Sequence, residues 1–299
     1  MKRFWTRLEH ELQSHDRAFI ALVLSHRGSS PGTAGAGLIY VAGSDPIGTI
    51  GGGRMEAALL QAANDNDRPG LSSELLVHRP GTAVGTPSGL ICAGEQTLLS
   101  GWVGGDDRSW IKSAAVLERD DAEGWVVFDG APRVTEAEPS ASLFMPLRIR
   151  RRVLIAGGGH CGAALAKLCD ELGYFVTLVD IDAGRHTFRR CGGADRKQIL
   201  ASYKSLADAV TLPEHTRLIV MTSELTTDVD AIEGAHGIPF AYRGVMGSPA
   251  KLAAIARELS SRGVSLDGFC APIGLAMKSD TPTEIAVSVA AQLLREDAP

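Results

Sequence analysis

A glycine-rich turn within residues 152–180 restricts the fold of this chain more than any other feature. The apolar run 153–156 is typical of a buried strand, and Gly157, Gly159 and Gly162 follow it at the GxGxxG spacing. The first glycine permits a tight turn, the second leaves room for a phosphate to approach the backbone, and the third lets a helix pack closely on the strand. The sequence therefore predicts the first strand, turn and helix of a Rossmann-type nucleotide-binding unit.

The residues after the turn complete this pattern. A helical periodicity ends at Gly173, and a second apolar run, 175–179, is followed by Asp180. We expect this acid to accept hydrogen bonds from ribose hydroxyls and to disfavour a 2′-phosphate. The predicted helix begins near His160 and Cys161, where unpaired N–H groups and the helix dipole favour an anion. The dipole is also expected to lower the pKa of the Cys161 thiol, and the histidine is a candidate donor to a phosphate or a metal-bound oxygen.

A second glycine turn lies in the N-terminal half, between a predicted strand and a predicted helix. Gly51, Gly52 and Gly53 are consecutive there, so they expose backbone N–H groups without the dinucleotide spacing. Arg54 and Glu56 follow them. The sequence leaves two interpretations of this pair open, an anion clamp with an acid beside it or an ordinary charge pair at the start of a helix.

The five cysteines form no CxxC pair and no zinc-ligand spacing, so we expect reduced thiols. Cys92 is the most informative of them, because it lies in a glycine-flanked loop near Gly94 and not on an apolar helical face. A thiolate at this position can bind a soft metal or carry sulfur. The alternative is a small buried apolar residue, which is the usual role of a free cysteine.

Length and composition favour a two-domain α/β protein. The pattern predicts an N-terminal α/β domain over residues 1–141 and a C-terminal domain with a doubly wound parallel sheet over 142–299, joined by a polar linker at 129–141. A net charge of −5 argues against a nucleic-acid-binding protein. No apolar run is long enough for a membrane span, and residues 1–13 lack the apolar core of a secretory signal, so the sequence predicts a cytoplasmic protein.

Four blocks of the sequence resemble the XdhC/CoxI family, the accessory proteins of xanthine dehydrogenase and related molybdenum hydroxylases. In chain order they are GTIGGGRME at 48–56, LICAG at 90–94, AGGGHCG at 156–162 with VD at 179–180, and VMGS at 245–248 with APIGL at 271–275 and TPTEIA at 281–286. The second block departs from the family, since many members have two adjacent cysteines followed by two glycines. Here Cys92 stands alone, and Ala93 replaces one glycine.

The resemblance implies a maturation chaperone rather than an enzyme. Such a protein binds molybdenum cofactor, as molybdopterin or its dinucleotide form, supports its sulfuration and inserts it into an apo xanthine dehydrogenase-like hydroxylase. A homodimer and a cysteine desulfurase partner are also implied. An NAD-dependent oxidoreductase and a nucleotide-binding sensor without chemistry are the alternatives. The candidate cofactor-binding residues are Gly51, Gly52, Gly53, Arg54, Glu56, Cys92, Gly94, Gly157, Gly159, His160, Cys161, Gly162 and Asp180, with Cys92 as the candidate molybdenum ligand.

Overall fold

A computed structural model describes residues 3–65, 70–77, 86–87 and 94–297 of the chain. The chain divides into two compact units, residues 1–149 and 150–299. The sequence predicts this boundary about eight residues earlier, after residue 141. The difference arises because the strand at Phe144–Leu147 pairs within the N-terminal unit.

The N-terminal unit combines two sheets with three helices in its described part. Its elements are α1 (Phe4–Ser14), β1 (Arg17–Arg27), β2 (Gly37–Tyr40), β3 (Ile47–Thr49), α2 (Gly53–Asp65), β4 (Gly70–Val77), β5 (Thr86–Pro87), β6 (Glu95–Gly104), α3 (Arg108–Asp120), β7 (Gly124–Val127), β8 (Arg133–Thr135) and β9 (Phe144–Leu147). Within these ranges one sheet has the order β3-β2-β1-β6-β4-β5, antiparallel except for the β4–β5 pair, and a smaller antiparallel sheet has the order β8-β7-β9.

The first helix shows how this unit forms its core. Trp5, Leu8 and Leu12 recur at helical spacing and are almost fully buried, packed in one cluster with residues of β1 and α3. No side chain of α1 caps its own N-terminus among the described residues. Instead the carboxylate of Glu118 on α3 accepts the backbone N–H of Thr6 at 2.8 Å. The spacing of Phe4, Leu8 and Leu12 predicts a helix over residues 1–16 with these side chains inward, and all three are buried in α1.

Two predicted loops of this unit turn out to be paired strands. Residues 133–135 lie within the predicted linker, but Thr135 pairs with Trp125 in the smaller sheet. The polar residues after 24 predict a loop that begins at residue 25, yet Arg27 pairs with Glu95 at the end of β1. Both segments are polar because they lie at exposed places in their sheets, so hydrophobic patterning does not mark them as strands.

The C-terminal unit is a parallel sheet with helices between its strands. Its elements are β10 (Arg152–Ala156), α4 (His160–Glu171), β11 (Phe175–Asp180), α5 (His186–Arg190), β12 (Arg196–Ile199), β13 (Thr216–Val220), α6 (Leu225–Gly234), β14 (Tyr242–Val245), α7 (Pro249–Ser261) and α8 (Pro282–Glu296), with short 3-10 helices at Tyr203–Ala209 and Pro213–His215. The strand order is β12-β11-β10-β13-β14, and every pair is parallel.

This order confirms the predicted Rossmann-type unit. The chain moves outwards from β10 through β11 to β12, and then crosses back to β13 on the other side of β10. The switch point therefore lies between the carboxyl ends of β10 and β13, where ligands bind in open parallel sheets. In the described ranges, no helix is both long enough and apolar enough to cross a bilayer.

Some element boundaries in this unit were predicted correctly and others were wrong. The sequence TPTE at 281–284 predicts a capping box, and at the start of α8 Thr281 and Glu284 satisfy each other's backbone N–H groups. The sequence PFAY predicts an edge or terminal strand over 239–242, but β14 begins at Tyr242 and ends at Val245, since Pro239 has no N–H to donate to a ladder. The polar edge strand β12, of sequence RKQI, was not predicted.

Candidate functional site

The three glycines of the GxGxxG turn occupy different environments at the carboxyl end of β10. Gly157 has a φ of 117°, and a Cβ there would lie 2.5 Å from the carbonyl oxygen of Met221. A Cβ on Gly162 would lie 1.8 Å from the carbonyl oxygen of Gly157. A Cβ on Gly159 would meet no heavy atom of the described chain within 4 Å. The first and third glycines therefore serve packing, whereas the second opens to free space.

The first turn of α4 faces this opening. Gly159 is the N-cap residue, and no side chain in the described part of the chain caps the helix. His160 is exposed, while Cys161 is half-buried against the core formed by α4, α8 and the sheet. Burial raises the pKa of the Cys161 thiol. The predicted lowering of that pKa is therefore wrong, because burial removes solvation from the thiolate.

Asp180 holds the glycine turn in place. Its carboxylate is almost fully buried, and Oδ2 accepts the backbone N–H of Gly158 at 2.7 Å. Oδ1 accepts the N–H groups of Ile181 at 2.8 Å and Asp182 at 3.0 Å. The Nε of Arg185 lies 2.9 Å from Oδ2 as an ion pair. A ribose hydroxyl at this acid would have to compete with these donors, and the ribose contact stays a prediction.

Arg185 also reaches across the switch point. One terminal nitrogen of its guanidinium donates to the hydroxyl of Ser223 at 3.4 Å, in the loop that follows β13. The Arg185 side chain thus connects the end of β11 to the loop after β13. In the strand order, β10 lies between these two strands. Sequence spacing does not predict this contact, because it joins residues 38 positions apart.

A second buried acid with a cation lies on the other side of the same loop, and the sequence analysis missed it. Asp228, in the first turn of α6, is fully buried and accepts the backbone N–H of Thr222 at 3.0 Å and its hydroxyl at 2.7 Å. The ammonium of Lys251, in the first turn of α7, forms an ion pair with Asp228. Sequence spacing offers no signal for this pair, because its members lie on two helices that the parallel sheet brings to one edge.

Backbone N–H groups of the N-terminal glycine turn donate to Glu56, the acid that follows the turn. Gly51, Gly52 and Gly53 all have positive φ, at 130°, 79° and 69°. Oε1 of Glu56 accepts the N–H groups of Ile50 at 2.9 Å and Gly52 at 2.7 Å. This geometry makes the glutamate a brace within the turn. Arg54 is exposed beside it.

Opposing effects act on the Glu56 carboxyl. Partial burial alone would raise its pKa, but hydrogen bonds from the Thr49 hydroxyl and from the amides of Ile50, Gly52 and Gly51 outweigh it. The pKa is therefore lowered from its ordinary value of 4.5. The carboxylate consequently stays ionised at neutral pH and continues to accept these bonds.

Gly51 of the first sequence block and Gly94, the one described residue of the second, both lie against residues 27–32. A Cβ on Gly51 would lie 2.6 Å from the Cβ of Pro31, and a Cβ on Gly94 would lie 2.5 Å from the carbonyl oxygen of Ser29. Both glycines thus pack directly against the same loop. The candidate thiol Cys92 lies outside the described residues. Within the described ranges, no group of three or more His, Cys, Asp or Glu side chains could hold a metal ion.

Two family models match this chain. The model described as the XdhC Rossmann domain matches residues 153–293, and the model of the XdhC and CoxI family matches residues 11–70. The chain belongs to the XdhC and CoxI family. The two matches cover about two thirds of this XdhC-type chain and include both glycine turns.

Two individual proteins are similar to this XdhC-type chain. A crystal structure described as a xanthine dehydrogenase (BH1974) from Bacillus halodurans has 18% sequence identity and a TM-score of 0.76, covering 99% of this chain and 96% of its own. That similarity shows a shared fold. The uncharacterized protein YqeB of Escherichia coli (strain K12) is 25% identical over 236 residues. Those residues are 76% of this chain and 41% of YqeB, so the chain spans about two fifths of that relative's length.

Proposed function

We propose that this XdhC-type chain is an accessory protein in the maturation of a xanthine dehydrogenase-like molybdenum hydroxylase. In this role it binds molybdenum cofactor, as molybdopterin or its dinucleotide form, protects it, supports its sulfuration and delivers it to the apo-hydroxylase. Family membership supports the maturation role. The observation that supports cofactor binding is the open space at Gly159, at the start of an uncapped helix.

The residues of the C-terminal unit suit the anionic end of this cofactor. Molybdopterin bears a phosphate, and the dinucleotide form bears a nucleotide in addition. The N–H groups at Gly159, His160 and Cys161 lie at the positive end of α4, where an anion is stabilised. Because a Cβ on Gly159 would meet nothing, a phosphate can approach the backbone there.

The N-terminal unit contributes the proposed metal contact. A cysteine thiolate is a soft ligand that suits molybdenum or a transferred sulfur atom, and Cys92 has this role in the proposal. Gly94, two residues later, packs against the same loop as Gly51. The bound cofactor supplies the redox centre of the client hydroxylase. A cysteine desulfurase partner, a homodimer and a cytoplasmic location belong to the same proposal.

The contacts of Asp180 count against an NAD-dependent oxidoreductase. In such enzymes the acid at this position accepts ribose hydroxyls. Here Arg185 is ion-paired with it, and three backbone N–H groups donate to it. Titration of NADH against the intrinsic tryptophan fluorescence separates the two functions, since only the oxidoreductase predicts saturable binding followed by turnover.

The decisive experiment compares molybdenum retention in variants that differ only at the glycine turn. The chain is co-expressed with an apo-hydroxylase, purified without oxygen, and analysed for molybdenum by mass spectrometry. Gly159→Val fills the open space without backbone strain, since φ is −67° at this residue. Gly192→Val is the matched control, because its Cβ would also meet nothing and its φ is not positive.

We expect the wild type and Gly192→Val to retain molybdenum and Gly159→Val to lose most of it. Cys92→Ala tests the thiol separately and is expected to reduce retention while leaving the C-terminal unit folded. Equal molybdenum in wild type and Gly159→Val would exclude the glycine turn as the cofactor site. Absence of molybdenum and pterin from the wild type would exclude the proposed function.

A further inference from the structure

Two cations flank the loop that follows β13 at the switch point. Arg185 reaches Ser223 from the side of β11. Lys251 approaches from the side of α7, where its Nζ lies 3.5 Å from the carbonyl oxygen of Thr222. Both side chains are partly exposed, at 31% for the arginine and 27% for the lysine. Both cations therefore lie beside the loop after β13 and outside the GxGxxG motif.

Each cation is held by a carboxylate that has almost no contact with solvent. Asp180 is 1% exposed and Asp228 is 0% exposed. A buried carboxylate is stable only when it is ionically paired and hydrogen-bonded, so each acid fixes its cation in position and in charge. A long cationic side chain that is already held in one position loses less side-chain entropy when it binds an anion. This arrangement distinguishes them from ordinary surface lysines and arginines.

Both cations retain donors for a ligand. A guanidinium has five N–H groups, and the contacts described for Arg185 use two of its nitrogens. An ammonium has three N–H groups, and those described for Lys251 reach Asp228 and Thr222. The N-termini of α4 and α7 add partial positive charge at the same edge of the sheet. The unused N–H groups of the two side chains and the two helix N-termini can therefore contact several oxygens of an anionic ligand.

We propose that Arg185 and Lys251 form a clamp for a diphosphate group at the switch point of the C-terminal unit. Because the two fixed cations contact adjacent residues, Arg185 at Ser223 and Lys251 at Thr222, each can bind one of two linked phosphates. Only the identity of the natural ligand rests on the proposed function. Of the two forms of the cofactor, the clamp selects the dinucleotide form, because that form contains a diphosphate. The clamp itself requires no molybdenum and no pterin.

Isothermal titration of the full chain with inorganic pyrophosphate and with orthophosphate tests the clamp. We expect wild type to bind pyrophosphate at least about tenfold more tightly than orthophosphate. Arg185→Met and Lys251→Met should each weaken pyrophosphate binding by at least about tenfold. Because Lys251→Met leaves Asp228 buried and unpaired, the double variant Lys251→Met/Asp228→Asn is measured beside it.

Arg262→Met is the matched control. This arginine lies just beyond the other end of α7, where it is ion-paired with Glu258 and Glu233, and its loss should leave the pyrophosphate affinity within about twofold. The inference is overturned if wild type shows no pyrophosphate binding up to roughly 10 mM. It is equally overturned if orthophosphate binds as tightly, or if Arg262→Met weakens binding as much as Lys251→Met. Pyrophosphate binding without molybdenum retention would support the clamp and reject the cofactor role.

Discussion

The backbone N–H of Gly158 donates to the buried Oδ2 of Asp180 at 2.7 Å. The acid at the end of β11 therefore holds the glycine turn at the end of the neighbouring strand, β10. The same carboxylate is ion-paired with Arg185, which extends to the loop after β13. One buried acid thus connects three neighbouring parts of the sheet edge where a ligand is expected.

Replacing this acid should destabilise the C-terminal unit. In Asp180→Asn an amide N–H₂ faces backbone donors and the ion pair with Arg185 is lost, so we expect about 3 kcal/mol less unfolding free energy. Urea titration followed by circular dichroism measures this change. Asp182→Asn is the control, because that exposed acid accepts one local N–H from Gly184, and its effect should stay within about 0.5 kcal/mol. Equal losses of unfolding free energy in the two variants would show that Asp180 does not stabilise the unit through these contacts.

Alanine substitutions at two glycines of the N-terminal turn should lower the unfolding free energy by different amounts. Gly51 has a φ of 130°, and a Cβ there would lie 2.6 Å from the Cβ of Pro31. Gly53 has a φ of 69° but open space around its Cβ position. We expect Gly53→Ala to cost about 1 kcal/mol through backbone strain alone, and Gly51→Ala to cost more than about 3 kcal/mol through strain and overlap. Denaturant titration of both variants provides the comparison, and similar costs would contradict the observed packing.

The lowered pKa of Glu56 gives stability a defined pH dependence. A group whose pKa is lower in the folded state stabilises above its unfolded pKa, and this contribution disappears as pH falls through the folded value. Wild type should therefore exceed Glu56→Gln in stability at pH 7, and the difference should shrink as pH falls below 4.5. Thermal unfolding of both proteins from pH 7 to pH 3 measures it. A difference that is constant with pH would mean that the carboxylate charge does not brace the turn.

The sequence was sufficient for those parts of the fold that local patterning controls. The run 153–156, the glycine spacing and the capping box at Thr281 each predict an element that the structure contains. The polar strands β8 and β12 were missed because no buried face marks them. Their pairing depends on neighbouring strands, which periodicity does not encode.

The site was predictable only where its residues belong to one motif. Gly157, Gly159 and Gly162 follow from their spacing. The pairing of Lys251 with Asp228 joins residues from two helices that a parallel sheet brings to one edge, and no spacing predicts it. The lowered pKa expected for Cys161 followed from its place in the helix alone, whereas the packing around its thiol determines the outcome.

The buried cysteines should differ measurably in reactivity. Burial raises the pKa of Cys169 to about 12 and raises that of the half-buried Cys161 as well. At pH 8 only roughly 10⁻⁴ of the Cys169 thiol is then ionised, and only the thiolate reacts with iodoacetamide. Mass-spectrometric mapping of the folded protein should show Cys161 modified before Cys169, and both later than in urea. Modification of Cys169 as fast as Cys161 would contradict its burial.

Substitutions at different glycines of the Rossmann turn should affect stability and ligand binding separately. A Cβ on Gly162 would overlap the carbonyl oxygen of Gly157 at 1.8 Å, so Gly162→Ala must displace α4 from the turn. We expect it to cost at least about 3 kcal/mol, whereas Gly159→Ala should cost less than about 1 kcal/mol. Denaturant titration gives the stability, and pyrophosphate titration gives the binding. Gly159→Ala should remain folded yet bind more weakly, because its methyl group occupies the space through which a phosphate would approach the N–H groups of α4.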